Sequence, residues 1–468
     1  MKTKNLFLLA DFHLSYMHRT MRAVVCALWI LTTASGAHAA ASLTWLAWMP
    51  GDLHSFYYNT TGVSGDGSVV VGTGGYDTSG YGYFYTAFRW TAGSGMVGVS
   101  GSDSFASGVS ADGSVIVGTS DYVAFRWTAG TGKVVLGHLP GDWGSTATIS
   151  ADGLVVIGTS YSDSGNQAFR WTAGSGMVGL GYLPGYTNST ALAVSADGSV
   201  VVGSSYSASG GQAFRWTAGS GMVGLGHLPG GTNNSVAGVS ADGSVVVGTS
   251  YSASGNQAFR WTAGSGMVGL GYLPGGNYSS ATAVSADGSI VVGNGYGEAF
   301  RWTAGSGMVG LGGGSATAVS ADGSIVIGDN TRWTAGSGMQ SLRDVLATNG
   351  LNLDPAWVLT TDGISADGNT IVGTGYYYTP DYTEEFGFVA YLPGLIGVNP
   401  VLSIHSWSST AHHLVLSWST NYTGCTLQSS TNLGSTNWTD CASPAVSGAS
   451  FVVTNAMSAG AQFFRLKQ

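Results

Sequence analysis

Between residues 43 and 394, four short apolar runs separated by turn residues recur as one unit along the chain. In one copy the runs cover residues 192–195, 200–204, 212–217 and 222–228. The second run is continuous and β-branched, which is typical of a strand buried on both faces. Asp197-Gly198 predicts a tight hairpin between runs one and two, and a Gly-Ser-Gly turn separates runs three and four. We therefore expect each unit to form four antiparallel strands.

Two motifs set the period of the unit. Ser-x-Asp-Gly occurs eight times, with Asp at 66, 112, 152, 197, 242, 287, 322 and 367. Arg-Trp occurs seven times, with Arg at 89, 126, 170, 215, 260, 301 and 332. A period near 45 residues with four strands matches a β-propeller blade. Because one such unit cannot cover both faces of its own sheet, neighbouring units are expected to pack against each other.

The two ends of the array decide between a ring and an open stack. Residues 43–49 resemble the fourth run, whereas the last unit stops after its third run at residues 386–392. The first strand would therefore complete the last blade and close a ring of about eight blades. An open solenoid remains the alternative, and it would need polar caps at its ends.

Two further segments flank or interrupt the repeats. Residues 340–355 carry leucines at helical spacing and predict a short helix and loop before the last blade. Residues 399–468 contain about five alternating runs, which predict a small β-sandwich of the immunoglobulin or fibronectin kind. Cys425 and Cys441 lie in this second domain, and a pair of cysteines in an exported chain suits a disulfide.

Residues 1–39 have the order of a secretory signal peptide. Met21-Arg22 precedes an apolar run at 23–31, and Ala37-His38-Ala39 supplies a cleavage site. Met21 is an alternative start. The apolar run is too short to span a bilayer, so we expect a secreted or cell-surface protein. Cleavage would remove a net charge of +3 and take the formal net charge from −9 to −12. A chain this poor in lysine offers no basic patch for nucleic acid.

The reiterated stretches VSADGSVVVG, QAFRW and LGHLPGG or LGYLPGG resemble the bacterial HAF family of extracellular repeats. The resemblance covers roughly residues 43–394, and residues 342–375 are similar to the usual end of such arrays. It implies export, often in surface-associated proteins, and it implies no enzymatic activity and no catalytic residues. The C-terminal part is similar to small sandwich modules that end many secreted proteins of environmental bacteria.

The repeated charged residues are interpreted as structural. The Asp of Ser-x-Asp-Gly lacks the dense acidic spacing of a calcium loop, and a carboxylate that bonds nearby backbone N–H groups in the turn explains it better. The repeated Arg lies on a strand face that packs against the next blade. Its most abundant potential partner is the repeated Asp, which predicts interblade polar pairs. The residues concerned are Arg170, Arg215, Arg260, Asp152, Asp197 and Asp242.

No arrangement typical of a catalytic or metal site is visible in the sequence. Glu298 replaces a repeat Gln, and Glu384 and Glu385 lie in a Tyr-rich loop. His412-His413 are adjacent strand residues and so point to opposite faces. We therefore expect no catalytic residue, no metal and no cofactor.

The loops after strands two and four share one face of a propeller, and they are rich in Tyr and Asn. The candidate ligand-binding residues are Tyr161, Asn166, Tyr186, Asn188, Tyr206, Asn233, Asn234, Tyr251, Asn256, Tyr278 and Tyr296. Such side chains give amphipathic contacts with little charge, which suits glycans or another surface protein. The alternative is that these loops are neutral solvent-exposed filler.

The sequence thus predicts a non-enzymatic extracellular scaffold for adhesion or glycan binding. The alternative is a propeller hydrolase or lyase that acts on polysaccharide. An asymmetric site lined by acids outside the repeat pattern would favour the enzyme, and a symmetric channel poor in carboxylates would favour the binding protein.

Overall fold

The computed structural model describes residues 8–10, 41–46, 55–77, 83–101, 103–208, 210–252, 255–378, 383–393, 403–408, 413–419, 426–430, 439–441, 443, 445–447, 450–456 and 462–467. Most of the expected signal peptide and Cys425 lie outside these residues. The chain divides into two compact units. One is Ala40–Pro393, and the other combines Met1–Ala39 with Gly394–Gln468.

The first unit is a β-propeller of eight antiparallel blades, as the repeat predicts. In chain order, β1 (Leu8–Ala10) belongs to the second unit, and β2 (Ser42–Leu46) precedes the first blade. Blades 1 to 4 are β3 (Ser55–Val63), β4 (Val70–Asp77), β5 (Tyr83–Thr91), β6 (Gly95–Gly98); β7 (Ser104–Val109), β8 (Val115–Ser120), β9 (Val123–Thr128), β10 (Gly132–Gly137); β11 (Gly144–Ser145), β12 (Thr148–Ile149), β13 (Val155–Tyr161), β14 (Gln167–Thr172), β15 (Gly176–Gly179); and β16 (Asn188–Val194), β17 (Val200–Ser207), β18 (Gly210–Thr217), β19 (Gly221–Gly224).

Blades 5 to 8 are β20 (Gly231–Val239), β21 (Val245–Ser252), β22 (Gly255–Thr262), β23 (Gly266–Gly269); β24 (Ser280–Val284), β25 (Ile290–Gly295), β26 (Glu298–Thr303), β27 (Gly307–Gly310); β28 (Ala318–Val319), β29 (Ile325–Gly328), β30 (Thr331–Thr334), β31 (Gly338–Ser341); and β32 (Trp357–Ile364), β33 (Thr370–Tyr378), β34 (Thr383–Tyr391), completed by β2. Helix α1 (Leu342–Thr348) lies before blade 8, within the segment where the sequence predicts a helix.

The first strand closes the ring. β2 pairs antiparallel with β34, from Ser42 opposite Tyr391 to Leu46 opposite Gly387. The Trp45 ring stacks on Trp357 at 3.9 Å between centroids. The prediction that the N-terminal strand completes the last blade is confirmed, and the open solenoid is wrong.

The apolar core lies between the blades. Val200 and Val202 of blade 4 pack with Val246 and Phe259 of blade 5 in one buried cluster, and similar clusters join other neighbouring blades. The continuous β-branched run of strand two is buried on both faces because each blade is covered on both sides. This packing explains why one unit could not be stable by itself.

A ring of backbone hydrogen bonds joins the eight Ser-x-Asp-Gly turns. An amide of each turn donates to a carbonyl of the next turn, over N···O distances between 2.9 and 3.2 Å. The donor and acceptor positions are 65→111, 111→151, 152→196, 196→241, 241→286, 286→321, 321→366 and 367→65. The last link connects blade 8 to blade 1, so the turns close the circle independently of β2.

The second unit contains two four-stranded sheets. One has the order β35 (Ser403–Ser408), β36 (His413–Ser419), β40 (Ser450–Ala456), β39 (Ala445–Ser447), and the other has β1, β41 (Gln462–Lys467), β37 (Thr426–Ser430), β38 (Thr439–Asp440). β1 lies inside the segment that the sequence predicts to be a signal peptide. Among the described residues, no helix has the length and apolarity needed to cross a membrane.

Cys425, one half of the predicted disulfide, lies outside the described residues, and Cys441 carries a free thiol. Its backbone amide donates to the Leu427 carbonyl, so the register of this sheet sets Cys441 against Leu427. Burial raises the pKa of the Cys441 thiol.

Candidate functional site

The strand order gives the propeller two different ends. We call the end with the Ser-x-Asp-Gly hairpins and the turns from strand three to strand four the turn end. The opposite end, where strand two meets strand three and strand four leads to the next blade, is called the loop end. Strand one of each blade contacts strand one of the next and is therefore innermost.

Exposed aromatic side chains are concentrated at the loop end. Among the described residues, every aromatic side chain with a large exposed fraction lies in or beside its loops. These residues are Phe105, Tyr122, Trp143, Tyr182, Tyr206, Tyr272, Tyr278, Tyr296 and Tyr378. Because large exposed apolar groups cluster on soluble proteins mainly where something binds, this end is the candidate site.

One group of neighbouring aromatic residues lies where blades 2 and 3 meet. The Trp143 side chain is 57% exposed and its ring stacks on Tyr161 at 5.6 Å and 24°. Tyr122 is 77% exposed, and its carbonyl accepts a hydrogen bond from Ser145, two residues after Trp143. Tyr122, Trp143 and Tyr161 thus form one group, which we call the blade 2–3 aromatic group.

Tyr122 is held in an unfavourable backbone conformation. Its φ is +65°, and that of the preceding Asp121 is +49°, which are the values of a tight hairpin turn that normally contains Asn and Gly. A bulky side chain at positive φ costs about 1–3 kcal/mol. Tyr296 repeats the pattern in blade 6, with φ +44° and 64% exposure. Both hairpins direct a tyrosine ring into solvent.

The predicted ligand-binding residues other than Asn234 fall into two groups, exposed and partly buried. Tyr206, Tyr278 and Tyr296 are exposed at the loop end. Tyr161, Asn166, Tyr186, Asn188, Asn233, Tyr251 and Asn256 are partly buried there. Of these, the side chains of Asn188 and Asn233 accept bonds from the amides of Asn166 and Gly211. The sequence prediction missed Tyr122, Trp143 and Tyr378, although they belong to the same loops and residue types.

Asn234 is not available to a ligand, and its assignment to the binding set is wrong. The residue is fully buried, its Oδ1 accepts from the Ala213 amide at 2.5 Å, and its Nδ2 donates to the Gly226 carbonyl at 2.6 Å. In the next blade Ser279 makes both bonds instead. Asn234 is therefore part of an interblade link.

The repeated Asp stabilises its own turn, as the sequence predicts. Asp197 Oδ1 accepts from the Ser199 amide at 3.0 Å and from the Ser195 hydroxyl at 2.7 Å. These bonds favour the carboxylate and lower the pKa of Asp197 to about 2, with the Ser199 amide as the largest cause. The Ser195 hydroxyl also accepts from the Val200 amide, so each motif is a closed local network.

The predicted pairs of Arg with Asp have a different acceptor. Arg215 Nε donates at 3.1 Å to the carbonyl of Gly243, the residue after Asp242 in the next blade. Arg170 and Arg260 make the same bond to Gly198 and Gly288. Each Arg thus contacts the Ser-x-Asp-Gly turn of the next blade, as predicted, but its acceptor is the Gly carbonyl of that turn. The carboxylates are already engaged, because Asp152, Asp197 and Asp242 bond within their own turns.

The innermost strands carry one charged residue, Asp362 of β32. It occupies the bulge of this strand, where other blades have Thr61, Ser107, Leu192 or Ala237. The residue as a whole is exposed at the bulge of this innermost strand, whereas its Oδ2 is directed toward the buried Thr60 and Thr374, so the carboxyl group itself is largely desolvated. The central channel is otherwise lined by neutral residues on these strands.

Asp362 belongs to a group of titratable residues between blades 8 and 1. Its Oδ2 accepts from the hydroxyls of Thr60 and Thr374, each at 3.0 Å. Desolvation raises the pKa of Asp362 above its usual value despite these bonds. Burial, followed by the charge of Asp362, raises the pKa of Glu385. Burial and the charge of Glu385 raise the pKa of Tyr376.

Glu298, the acid that replaces a repeat Gln, has a local partner. Glu298 Oε2 accepts a hydrogen bond from the Gly312 amide at 2.9 Å, and this bond stabilises the loop that contains Gly312. Within the described part of the chain, no group of three His, Cys, Asp or Glu side chains could hold a metal ion. His412 lies outside the described residues.

Comparison with known proteins gives structural neighbours only. No family model matches the chain, so its resemblance to HAF repeats stays a prediction, and no curated protein matches it. TolB from Acinetobacter baumannii is 16% identical with a TM-score of 0.34, and the match covers 51% of this chain and 62% of TolB.

Two lyase structures match a larger share of the chain. An oligogalacturonate lyase in complex with manganese is 14% identical, covering 76% of this chain and 94% of the lyase with a TM-score of 0.43. The oligogalacturonate lyase of Vibrio parahaemolyticus is 11% identical, covering 76% and 97% with a TM-score of 0.44. The assignment of this chain to the β-propeller fold rests on its own strand pairing.

Proposed function

We propose that this protein is an exported, non-enzymatic binding protein that recognises neutral glycans at the loop end of its propeller. The observation that carries the proposal is the blade 2–3 aromatic group, in which Trp143 stacks on Tyr161 and the exposed Tyr122 is joined to the same loop through its carbonyl. Flat amphipathic rings bury the apolar face of a sugar and lose little conformational entropy on binding.

Charge at the loop end favours a neutral ligand. Asp121 and Asp142 lie next in sequence to Tyr122 and Trp143. Carboxylates accept hydrogen bonds from sugar hydroxyls, but they repel acidic polysaccharides and nucleic acid. The strained conformation of Asp121 and Tyr122 also agrees with a binding role, because such strain persists mainly where function maintains it.

A glycan array followed by calorimetry tests the proposal. We expect the unmodified protein to bind one or more neutral glycans, and Trp143→Ala to weaken that binding at least tenfold. Leu154→Ala is the matched control, because Leu154 is equally exposed but lies at the turn end. Absence of binding to any neutral glycan, or equal loss with both variants, would contradict the proposal.

The second candidate is an enzyme that cleaves polysaccharide, and Asp362 is the observation in its favour. Asp362 and Glu385 are acids outside the repeat pattern, and burial raises the pKa of both, which suits a proton donor. Release of reducing ends from a polysaccharide panel tests this function. An enzyme that uses Asp362 would lose its activity in Asp362→Asn, whereas a binding protein would release nothing in either form.

A further inference from the structure

The grooves between blades contain a repeated binding site for a guanidinium group. In four grooves an Arg of one blade donates to the Gly carbonyl of the next blade's Ser-x-Asp-Gly turn, at 3.1 to 3.5 Å. In three grooves, those of Arg170, Arg260 and Arg301, the guanidinium lies over the Trp ring of the next blade, 5.7 to 6.0 Å from its centroid. A carbonyl and an aromatic face together receive Arg170 and Arg260, and each remaining groove of this set shows one of these two contacts.

The groove between blades 8 and 1 keeps the Gly carbonyl and the Trp ring of blade 1, but blade 8 supplies no Arg to it. By strand register, Val389 of β34 occupies the position of Arg215, since Val389 lies opposite Val372 as Arg215 lies opposite Val202. Blade 1 nevertheless retains Gly67 in its turn and Trp90 on its third strand. Trp90 packs against the apolar cluster that contains Val389.

A cavity lies at this groove. It has a volume of about 760 Å³ and is lined by Val389 and Thr370 of blade 8 and by Asp66, Gly67 and Trp90 of blade 1, among others. The carboxylates of Asp66 and Asp112 line the cavity together with one cation, Arg89. The Gly carbonyl and the Trp ring that receive a guanidinium elsewhere therefore border a solvent-open cavity here, and Asp66 and Asp112 add negative charge to it.

We propose that the groove between blades 8 and 1 binds an arginine side chain of a partner protein at the turn end. The arginine takes the place that the chain's own Arg occupies in the other grooves, with its fork toward the Gly67 carbonyl and Asp66 and its plane on Trp90. Arginine fits better than lysine, because a planar guanidinium both stacks on a ring and donates several hydrogen bonds in one plane. This site lies at the opposite end from the proposed glycan surface.

The test uses the full chain and three short peptide amides, Gly-Arg-Gly, Gly-Lys-Gly and Gly-citrulline-Gly, in calorimetric titrations. We expect the arginine peptide to bind with at least tenfold higher affinity than the lysine and citrulline peptides. Free arginine is titrated as well, and it should bind more weakly than the peptide if the site serves a protein partner. Equal binding of the citrulline peptide would overturn the proposal.

Variants of the groove separate binding from folding. Val389→Arg restores the repeat residue, so we expect it to raise the melting temperature and abolish peptide binding. Val389→Thr is the matched control and should bind as the unmodified protein does. Arg215→Ala should lower the melting temperature and create a second site, which doubles the peptide stoichiometry. Undiminished binding to Val389→Arg, or no binding by the unmodified protein at millimolar peptide, would overturn the proposal.

Discussion

At the scale of residues, the Ser-x-Asp-Gly motif is a self-contained turn. Ser195, Asp197 and Ser199 bond to each other and to the local backbone, and Gly198 adopts a φ of +69°. A Cβ at Gly198 would meet Val155 of the preceding blade at 2.2 Å, so glycine is required for two reasons. All of the bonds of Asp197 span two residues, which is why the sequence predicts its role.

The turn carboxylates should make folding sensitive to acid. The pKa of Asp197 is lowered to about 2 in the folded protein, so its stabilisation is complete above the unfolded pKa near 4 and is lost as the pH falls toward 2. We expect the free energy of unfolding to fall less steeply between pH 4 and pH 2 in Asp197→Asn than in the unmodified protein. Denaturant titrations across this range measure it, and parallel curves would contradict the prediction.

The hydrogen-bond acceptor of Arg215 could not be predicted from the properties of single residues. The sequence places Arg on the face toward the next blade, but only the packed structure shows that Arg215 donates to the Gly243 carbonyl while the Asp242 carboxylate accepts from Ser244. The carboxylate is held by its own serine and amide, which leaves the carbonyl as acceptor.

At the scale of elements, the junction between blades is a repeated polar link. Ser189 accepts from the Ala168 amide of the preceding blade and donates to the Gly181 carbonyl, and Ser279 acts in the same way. Asn234 substitutes for this serine in blade 5 with a longer side chain. The sequence suggests a recognition residue here, because the Tyr- and Asn-rich loops conceal that strand one begins at this point.

Asn234 variants should distinguish a structural link from a binding residue. Asn234→Ala would leave the buried Ala213 amide and Gly226 carbonyl without their partner and should lower the free energy of unfolding by about 1–3 kcal/mol. Asn234→Ser restores the repeat residue and should retain most of the stability. Thermal unfolding measures both variants, and equal stability of Asn234→Ala and the unmodified protein would refute the structural role.

At the scale of the whole molecule, the ring is closed twice. β2 completes blade 8 on its outer edge, and the turn amides form a continuous circle at the turn end. Because the closing contacts join residues more than 300 positions apart, they couple the first and last blades across the whole repeat array.

A crosslink at the closure should stabilise the propeller. Leu43 lies opposite Ala390 in the register of β2 and β34, and directly paired strand residues have Cα atoms about 4.5–5.5 Å apart, within the range of a disulfide. Oxidised Leu43→Cys/Ala390→Cys should gain about 2–4 kcal/mol in unfolding free energy, and reduction should remove the gain. Leu43→Cys alone is the control, and failure of the pair to crosslink would contradict the register.

The sequence by itself determined the blade, the number of blades and the closing strand, because these follow from local turn chemistry, strand periodicity and the permuted ends of the repeat. Only the tertiary structure decided which side chains and backbone groups contact each other between the blades. The carbonyl partner of Arg215, the burial of Asn234 and the neighbours of Asp362 and Val389 all depend on register and on which faces meet. Those contacts link residues distant in the chain, and no local pattern encodes their distances.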